Sequence, residues 1–301
     1  MTNIAELSHR FGLAGEVEFK ETSNGSVLIE VYNDHARATL ALQGGHLMTW
    51  QPHEQPPVIW LSSQAKVAAG KSIRGGVPIC WPWFGPHATE ARYPAHGYVR
   101  TLPWALIQSE SLSGGATRLV MRFVENEQTR TLWPHATTVE CHFTIGTTLE
   151  IDLITTNNSQ ELITISQALH TYFAVSDVRN ITIDGLEGTR YLDKVAGGLL
   201  KQQVGSVTID AEVDRIYIDT TADCLINDPA LQRRLRIQKK GSGSTVVWNP
   251  WSAKAHTMGD LGDDGYLQMV CVESANAADD LVTLAPGAHH HLWVRYGVEP
   301  L

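Results

Sequence analysis

The sequence predicts an all-β protein, a large antiparallel β-sandwich with few, short helices. Two observations carry that expectation: apolar residues recur at every second position in run after run, and helical periodicity is scarce. Thr137–Ile145 places Val139, Cys141, Phe143 and Ile145 on one face, opposite Glu140, His142 and Thr144. Successive side chains of a strand point to opposite faces, so this is the pattern of a strand buried on one side. Leu119, Met121 and Phe123 alternate in the same way with Val120, Arg122 and Val124. Leu149, Ile151 and Leu153 resume the pattern after a turn at Gly146, and Leu235 and Ile237 lie between Arg234, Arg236 and Gln238. Residues 246–248, 267–272 and 291–296 are further strand candidates, and the polar or glycine-bearing breaks mark hairpins. Helices are expected only at residues 4–12 and 252–258. Nothing resembles the strand–helix alternation of a parallel α/β fold.

The chain has 301 residues, 43% of them hydrophobic, enough for a substantial core in a single domain spanning residues 1–301. Its 32 acidic against 23 basic residues give a net charge of −9. That balance opposes nucleic-acid or anionic-membrane binding, which needs a broad basic face, but leaves room for a local basic pocket. No run approaches the roughly 18 apolar residues of a membrane helix. The N-terminal stretch carries acidic residues and no continuous apolar segment, so it does not read as a signal peptide. Cys80, Cys141, Cys224 and Cys271 are scattered with no paired spacing. They are expected to be reduced thiols of a cytoplasmic protein. A monomer is expected, because such a sandwich buries its own core.

One stretch breaks the alternation. Residues 71–100 read KSIRGGVPICWPWFGPHATEARYPAHGYVR, dense in Gly, Pro and aromatics. A segment that long without periodicity is more often functional than idle, and this one gathers Arg74, Arg92, His96 and Arg100. A packed Ω-like loop plugging one end of the sandwich is the alternative.

Three islands can now be compared with known proteins. The first is Arg74-Gly75-Gly76-Val77-Pro78, followed by Trp81-Pro82-Trp83-Phe84-Gly85 and His96-Gly97-Tyr98-Val99-Arg100. The second is Gln167-Ala168-Leu169-His170-Thr171-Tyr172-Phe173. The third is Trp248-Asn249-Pro250-Trp251, leading through Lys254 and Met258 to Val270-Cys271-Val272-Glu273-Ser274-Ala275. Together, and in this order, they resemble the aldose 1-epimerase (galactose mutarotase) superfamily, and within it the hexose-6-phosphate 1-epimerase branch. The resemblance covers roughly residues 25–298. It implies a galactose mutarotase-like sandwich and an isomerase that interconverts the α and β anomers of a hexose 6-phosphate without cofactor or metal.

Such chemistry needs a base for the anomeric hydroxyl and an acid for the ring oxygen, each worth about 10² to 10⁴-fold. Glu273 matches the family's base, although alone it reads as readily as a carboxylate ending a strand. His170 matches the acid, although alone it reads as a hydrogen-bonded core histidine; its ordinary pKa of about 6.5 suits proton donation. The two are expected to flank one pocket, their side chains roughly 5 to 8 Å apart. By the same resemblance Arg74, His96, Arg100 and Asp214 bind the sugar phosphate. Arginine forks suit phosphate because they donate two parallel hydrogen bonds. Arg92 is a further phosphate candidate, or else a solvated loop charge; Asp214 reads alternatively as a turn residue or an ion-pair partner of Arg215. His289-His290-His291 is not expected to bind metal, since neighbours on a strand face opposite ways. Residues 259–265 read as a solvated turn, not a calcium loop. Three competing readings remain: an epimerase of unphosphorylated sugars, a carbohydrate-binding module without catalysis, and a metal-dependent cupin. The paired acid and base disfavour the second, and the lack of a His-x-His plus carboxylate cluster disfavours the third.

Overall fold

The computed structural model describes residues 3–301. Two eight-stranded sheets and one four-stranded sheet dominate it, every ladder between the named strands antiparallel. The four-stranded sheet is a meander of Val17–Glu21, Val27–Tyr32, Ala36–Ala41 and His46–Pro52. One eight-stranded sheet contains the regular alternators. Thr137–Ile145 and Leu149–Asn157 pair through Ile145 and Leu149, and every second residue of each is buried. These inward residues, with Leu119, Met121, Leu235 and Ile237, join one continuous apolar core.

The second eight-stranded sheet contains Val213–Tyr217, Ser244–Asn249 and Met269–Asn276 as neighbours. Ser244–Asn249 and Met269–Asn276 are buried at every position. Val247, Val270 and Val272 enter the main core, whereas Val246, Trp248 and Cys271 on the opposite face join a second apolar cluster with Tyr172 and Trp60. Two-sided burial is why residues 267–272 read as an apolar run and not as an alternation. On the face away from the main core, register aligns Asp214, Trp248, Cys271 and Tyr172 in one cross-strand row.

The helices fall at Ile4–Phe11 and Trp251–Met258, close to the expected positions, and at Glu127–Leu132, which the sequence pattern missed. That third helix is six residues long and rests on a capping box between Asn126 and Thr129, too short to show periodicity. Cys80, Cys141, Cys224 and Cys271 are free and buried. His289–Pro300 is a strand, with the rings of His289 and His291 5.3 Å apart.

Residues 71–100 are more ordered than an irregular loop. Ile79–Cys80 pairs with Gln167–Leu169 at the edge of the second sheet, and Val99–Thr101 forms a 3₁₀ turn. Trp83 stacks on Tyr93 at 5.8 Å and donates its indole N–H to the Pro94 carbonyl. The segment folds back where Gly97 bridges Trp81. Gly97 has φ +70°, and a Cβ there would lie 1.8 Å from the Trp81 carbonyl oxygen. Gly188 has a similar φ of +74° but open space around it. Gly188→Ala should therefore cost only the left-handed backbone penalty, about 1–2 kcal/mol. Gly97→Ala must also move backbone and should exceed that by at least about 2 kcal/mol in urea unfolding. Equal losses would show that the Trp81–Gly97 contact is not tight.

Candidate functional site

A cavity of about 360 Å³ opens on the second sheet's outer face, within the size range of small-molecule sites. Arg74, His96, Arg100, His170, Asp214 and Glu273 all line it, so six of the seven sequence candidates converge. Arg92 does not: its side chain is 80% exposed and lies 3.3 Å from Glu90. An exposed loop arginine beside a glutamate is the solvated charge that its local sequence allows.

His170 lies between the short strands Gln167–Leu169 and Tyr172–Ala174, both paired to Met269–Asn276. Leu169 is opposite Ser274 and Tyr172 opposite Cys271, so His170 falls opposite Glu273. The His170 backbone N–H turns away to the Pro78 carbonyl, 3.0 Å off. Its ring stacks on Tyr172 at 5.0 Å and meets the edge of Trp248 at 5.8 Å. This aromatic slot brings His170 Nε2 within 3.4 Å of Glu273 Oε1. The separation is shorter than the 5 to 8 Å expected from sequence. The reason is register: Leu169 opposite Ser274 and Tyr172 opposite Cys271 put the two residues face to face on neighbouring strand segments, leaving no ring-sized gap between them.

Glu273 is fully buried, and its Oε2 has no hydrogen-bond partner among the described residues; neither has His170 Nδ1. Burial pushes the Glu273 carboxyl well above the usual carboxylate range; Asp214 raises it further and Arg100 opposes the shift. Burial likewise holds His170 well below its ordinary value, aided by His96, Arg100 and Arg74. Both shifts favour an uncharged pair.

Arg74 is held on both sides. Its Nε donates to Asp260 Oδ1 and its Nη1 to the Tyr172 hydroxyl, each at 2.9 Å. Asp260 lies in the segment that read as a solvated turn; its ion pair, invisible in local sequence, gives it a place beside the site. Behind Arg74, buried His46 bonds the Gly75 carbonyl at 2.9 Å, and a Cβ on Gly76 would meet His46 Nε2 at 2.3 Å. Arg100, in contrast, spends one Nη2 bond on the Ala95 carbonyl and enters no ion pair among the described residues. Asp214 does not pair with Arg215, which instead bonds Gln203; burial raises the Asp214 carboxyl. Sequence reasoning gave no role to Ser72, Phe84, Trp248 or Lys254, which also line the cavity. Lys254 lies on the helix Trp251–Met258, 2.7 Å from Glu212. Its place within the third island was the available signal. Among the described residues, donor atoms of His170, Cys271 and Glu273 lie within 4.8 Å of one another, a grouping that could take a metal ion.

His96 adds a fixed donor. Its Nδ1 accepts the Gly85 backbone N–H at 3.3 Å, which leaves the proton of the neutral ring on Nε2. Burial, then Arg100, lowers its pKa to about 4. Burial lowers buried His46 to about 4 as well. Between pH 4 and 6.5 the unfolded chain therefore binds protons that the folded chain refuses, so stability should be full above about 6.5 and fall as pH drops toward 4. Nitrogen-detected NMR should find both rings neutral from pH 5 to 8, with the proton of His96 on Nε2. A midpoint near 6.5 for either ring would refute the assignment.

Comparisons with known proteins give the family and the fold. The family described as aldose 1-epimerase matches residues 27–297. A protein of Escherichia coli K12 named "Putative glucose-6-phosphate 1-epimerase" is 40% identical over 266 residues, 87% of each chain. A plant protein from Cenchrus ciliaris with the same name is 32% identical, covering 83% of this chain and 78% of its own. The crystal structure of "a putative mutarotase (YeaD)" from Salmonella typhimurium superposes with a TM-score of 0.90 at 34% identity, covering 97% of this chain and 96% of that one. A galactose mutarotase-like protein from Lactobacillus casei shares the fold at 14% identity, TM-score 0.71, over 90% of this chain and all of its own. The chain is an isomerase that belongs to the aldose 1-epimerase family.

Proposed function

We propose that this protein interconverts the α and β anomers of a hexose 6-phosphate, most simply glucose 6-phosphate, with Glu273 as base and His170 as acid. The observation that carries the reading is the His170–Glu273 pair, 3.4 Å apart on one wall of a cavity that also receives Arg74, Arg100 and Lys254. The names of the 40% and 32% identical relatives support the phosphorylated substrate. In the reaction Glu273 takes the anomeric hydroxyl proton while His170 protonates the ring oxygen. The ring opens, the bond beside the carbonyl rotates, and closure runs the transfers backward onto either face. A base with a raised pKa and an acid with a lowered one both gain driving force for these transfers. Ring opening also converts a charged pair into the uncharged pair that burial prefers. His96 Nε2–H and the Asp214 carboxylate are suited to sugar hydroxyls, and Arg100, free of carboxylates, is the principal phosphate ligand.

Anomer exchange followed by NMR tests the roles. Glu273→Gln should lower exchange of glucose 6-phosphate by about 10² to 10⁴-fold while affinity survives. The rate should be bell-shaped in pH. Below the acid limb both groups carry protons and Glu273 cannot accept; above the alkaline limb neither does and His170 cannot donate. Wild-type exchange by Glu273→Gln would eliminate the mechanism.

The rim residues give a separate test. Arg100→Ala should cut kcat/KM on glucose 6-phosphate roughly 30- to 150-fold, the loss of a charged hydrogen bond worth about 2–3 kcal/mol, with little change on glucose. Equal losses on the two sugars would remove phosphate from the reading. A chain that exchanges galactose but not glucose 6-phosphate would reassign the substrate.

A further inference from the structure

We propose that the acid–base pair doubles as a binding site for a soft divalent cation such as Zn²⁺, with Cys271 as third ligand, so that the ion blocks the cavity. The inference rests on the reading of His170 and Glu273 as the working pair. Cys271 and Glu273 are two apart on one strand and so share a face. That face lies under the His170 ring, because Cys271 is cross-strand from Tyr172 and Trp248, on which His170 stacks and abuts.

The distances suit one ion. Donors around tetrahedral zinc lie roughly 3.3 to 3.6 Å apart, given bonds of about 2.0 to 2.3 Å. His170 Nε2 and Glu273 Oε1 already stand at 3.4 Å, and the Cys271 sulfur completes a set spanning no more than 4.8 Å. Glu273 Oε2 is buried without a partner, so a carboxylate lone pair is available at no cost to existing hydrogen bonds. Imidazole, carboxylate and thiolate form a mixed donor set that selects zinc over magnesium or calcium. Arg74 and Arg100 on the same cavity repel hard cations, which bring no thiolate bond to offset that repulsion. Binding displaces the Cys271 thiol proton, and any proton on Glu273, to solvent; the two anionic ligands then neutralise the dication. His170 and Glu273 line the cavity, so an ion held by them takes up space there that a sugar would need.

Zn²⁺ and Cd²⁺ chlorides are the probes, with Mg²⁺ and Ca²⁺ as controls. Cd²⁺ should give a thiolate-to-metal charge-transfer absorption in the ultraviolet that needs no substrate. Cys271→Ala should abolish it, Glu273→Gln should weaken Cd²⁺ affinity, and Cys80→Ala should leave it unchanged. Zn²⁺ should inhibit anomer exchange competitively with the sugar phosphate, and Cys271→Ala should weaken that inhibition by more than the roughly 10- to 100-fold of a lost outer-shell partner. Mg²⁺ and Ca²⁺ should do nothing. If Cys271→Ala does not fold, the weakened Cd²⁺ affinity of Glu273→Gln, read by titrating the band, carries the test. No band in the unaltered protein, a band indifferent to Glu273, or one lost in Cys80→Ala overturns the inference. A normal band in a protein that fails to exchange sugar phosphates instead overturns the mutarotase reading and leaves the site standing.

Discussion

A carboxylate buried in the middle of a strand is the constraint around which this molecule is arranged. Glu273 is 1% exposed, in a strand buried at every position, one face in the main core and the other beneath the cavity. An isolated ionised carboxylate in such a place costs several kcal/mol even after relaxation. The fold answers by placing His170 opposite it at a break in the ladder, and burial favours the uncharged form of both groups. His170 can occupy that position because its own N–H is diverted to Pro78 and its ring is wedged between Tyr172 and Trp248. In the proposed mechanism, the desolvation that makes the pair expensive to charge is also what sharpens it as acid and base.

The surrounding cations are graded by how firmly they are held. Arg74 is fixed by Asp260 and Tyr172, and the turn behind it by His46 and two glycines too crowded for side chains. Lys254 is tied to Glu212. Arg100 keeps most of its donors free. Arg100 is thus the least committed of the three cations on the cavity, which is the ground for proposing it as the principal phosphate ligand. The order of residues 71–100 serves the same end, since His96 and Arg100 flank the Gly97 crossing on Trp81.

The fold class was legible because a single buried face writes itself as alternation, as Thr137–Ile145 shows. Where both faces are buried the signal fades, so residues 267–272 gave an apolar run and Glu273 read locally as a carboxylate ending a strand, whereas the strand continues to Asn276. Six site residues were legible through motifs; their local settings alone left Glu273 and His170 ambiguous. Arg92 sat in the right loop but outside the cavity, because loop membership does not fix direction. Phe84 and Lys254 stood within the motifs but were given no role, and Asp260 and Ser72 carried no signal, since their places at the site depend on proximity between distant segments. The His170–Glu273 separation depends on strand register, which apolar patterning does not fix across a ladder break such as residues 170–171.

The pair also explains why discrimination has to lie elsewhere. In the proposed mechanism His170 and Glu273 hold one proton between them before ring opening and one after it, and the same transfers in reverse close either anomer. Nothing in that exchange distinguishes one aldose from another, because every cyclic aldose offers an anomeric hydroxyl and a ring oxygen on one carbon. On that mechanism selectivity falls to the other groups lining the cavity: His96 with its proton on Nε2, Asp214, which does not pair with Arg215, and Arg100, which enters no ion pair among the described residues. These come from different elements, Asp214 from the strand Val213–Tyr217 and His96 and Arg100 from the folded segment before residue 101. The proposed reactive pair is set by the register of Met269–Asn276 against the two short strands flanking His170, whereas the proposed substrate-reading groups can change independently of it. Specificity within this architecture can therefore shift without disturbing the chemistry.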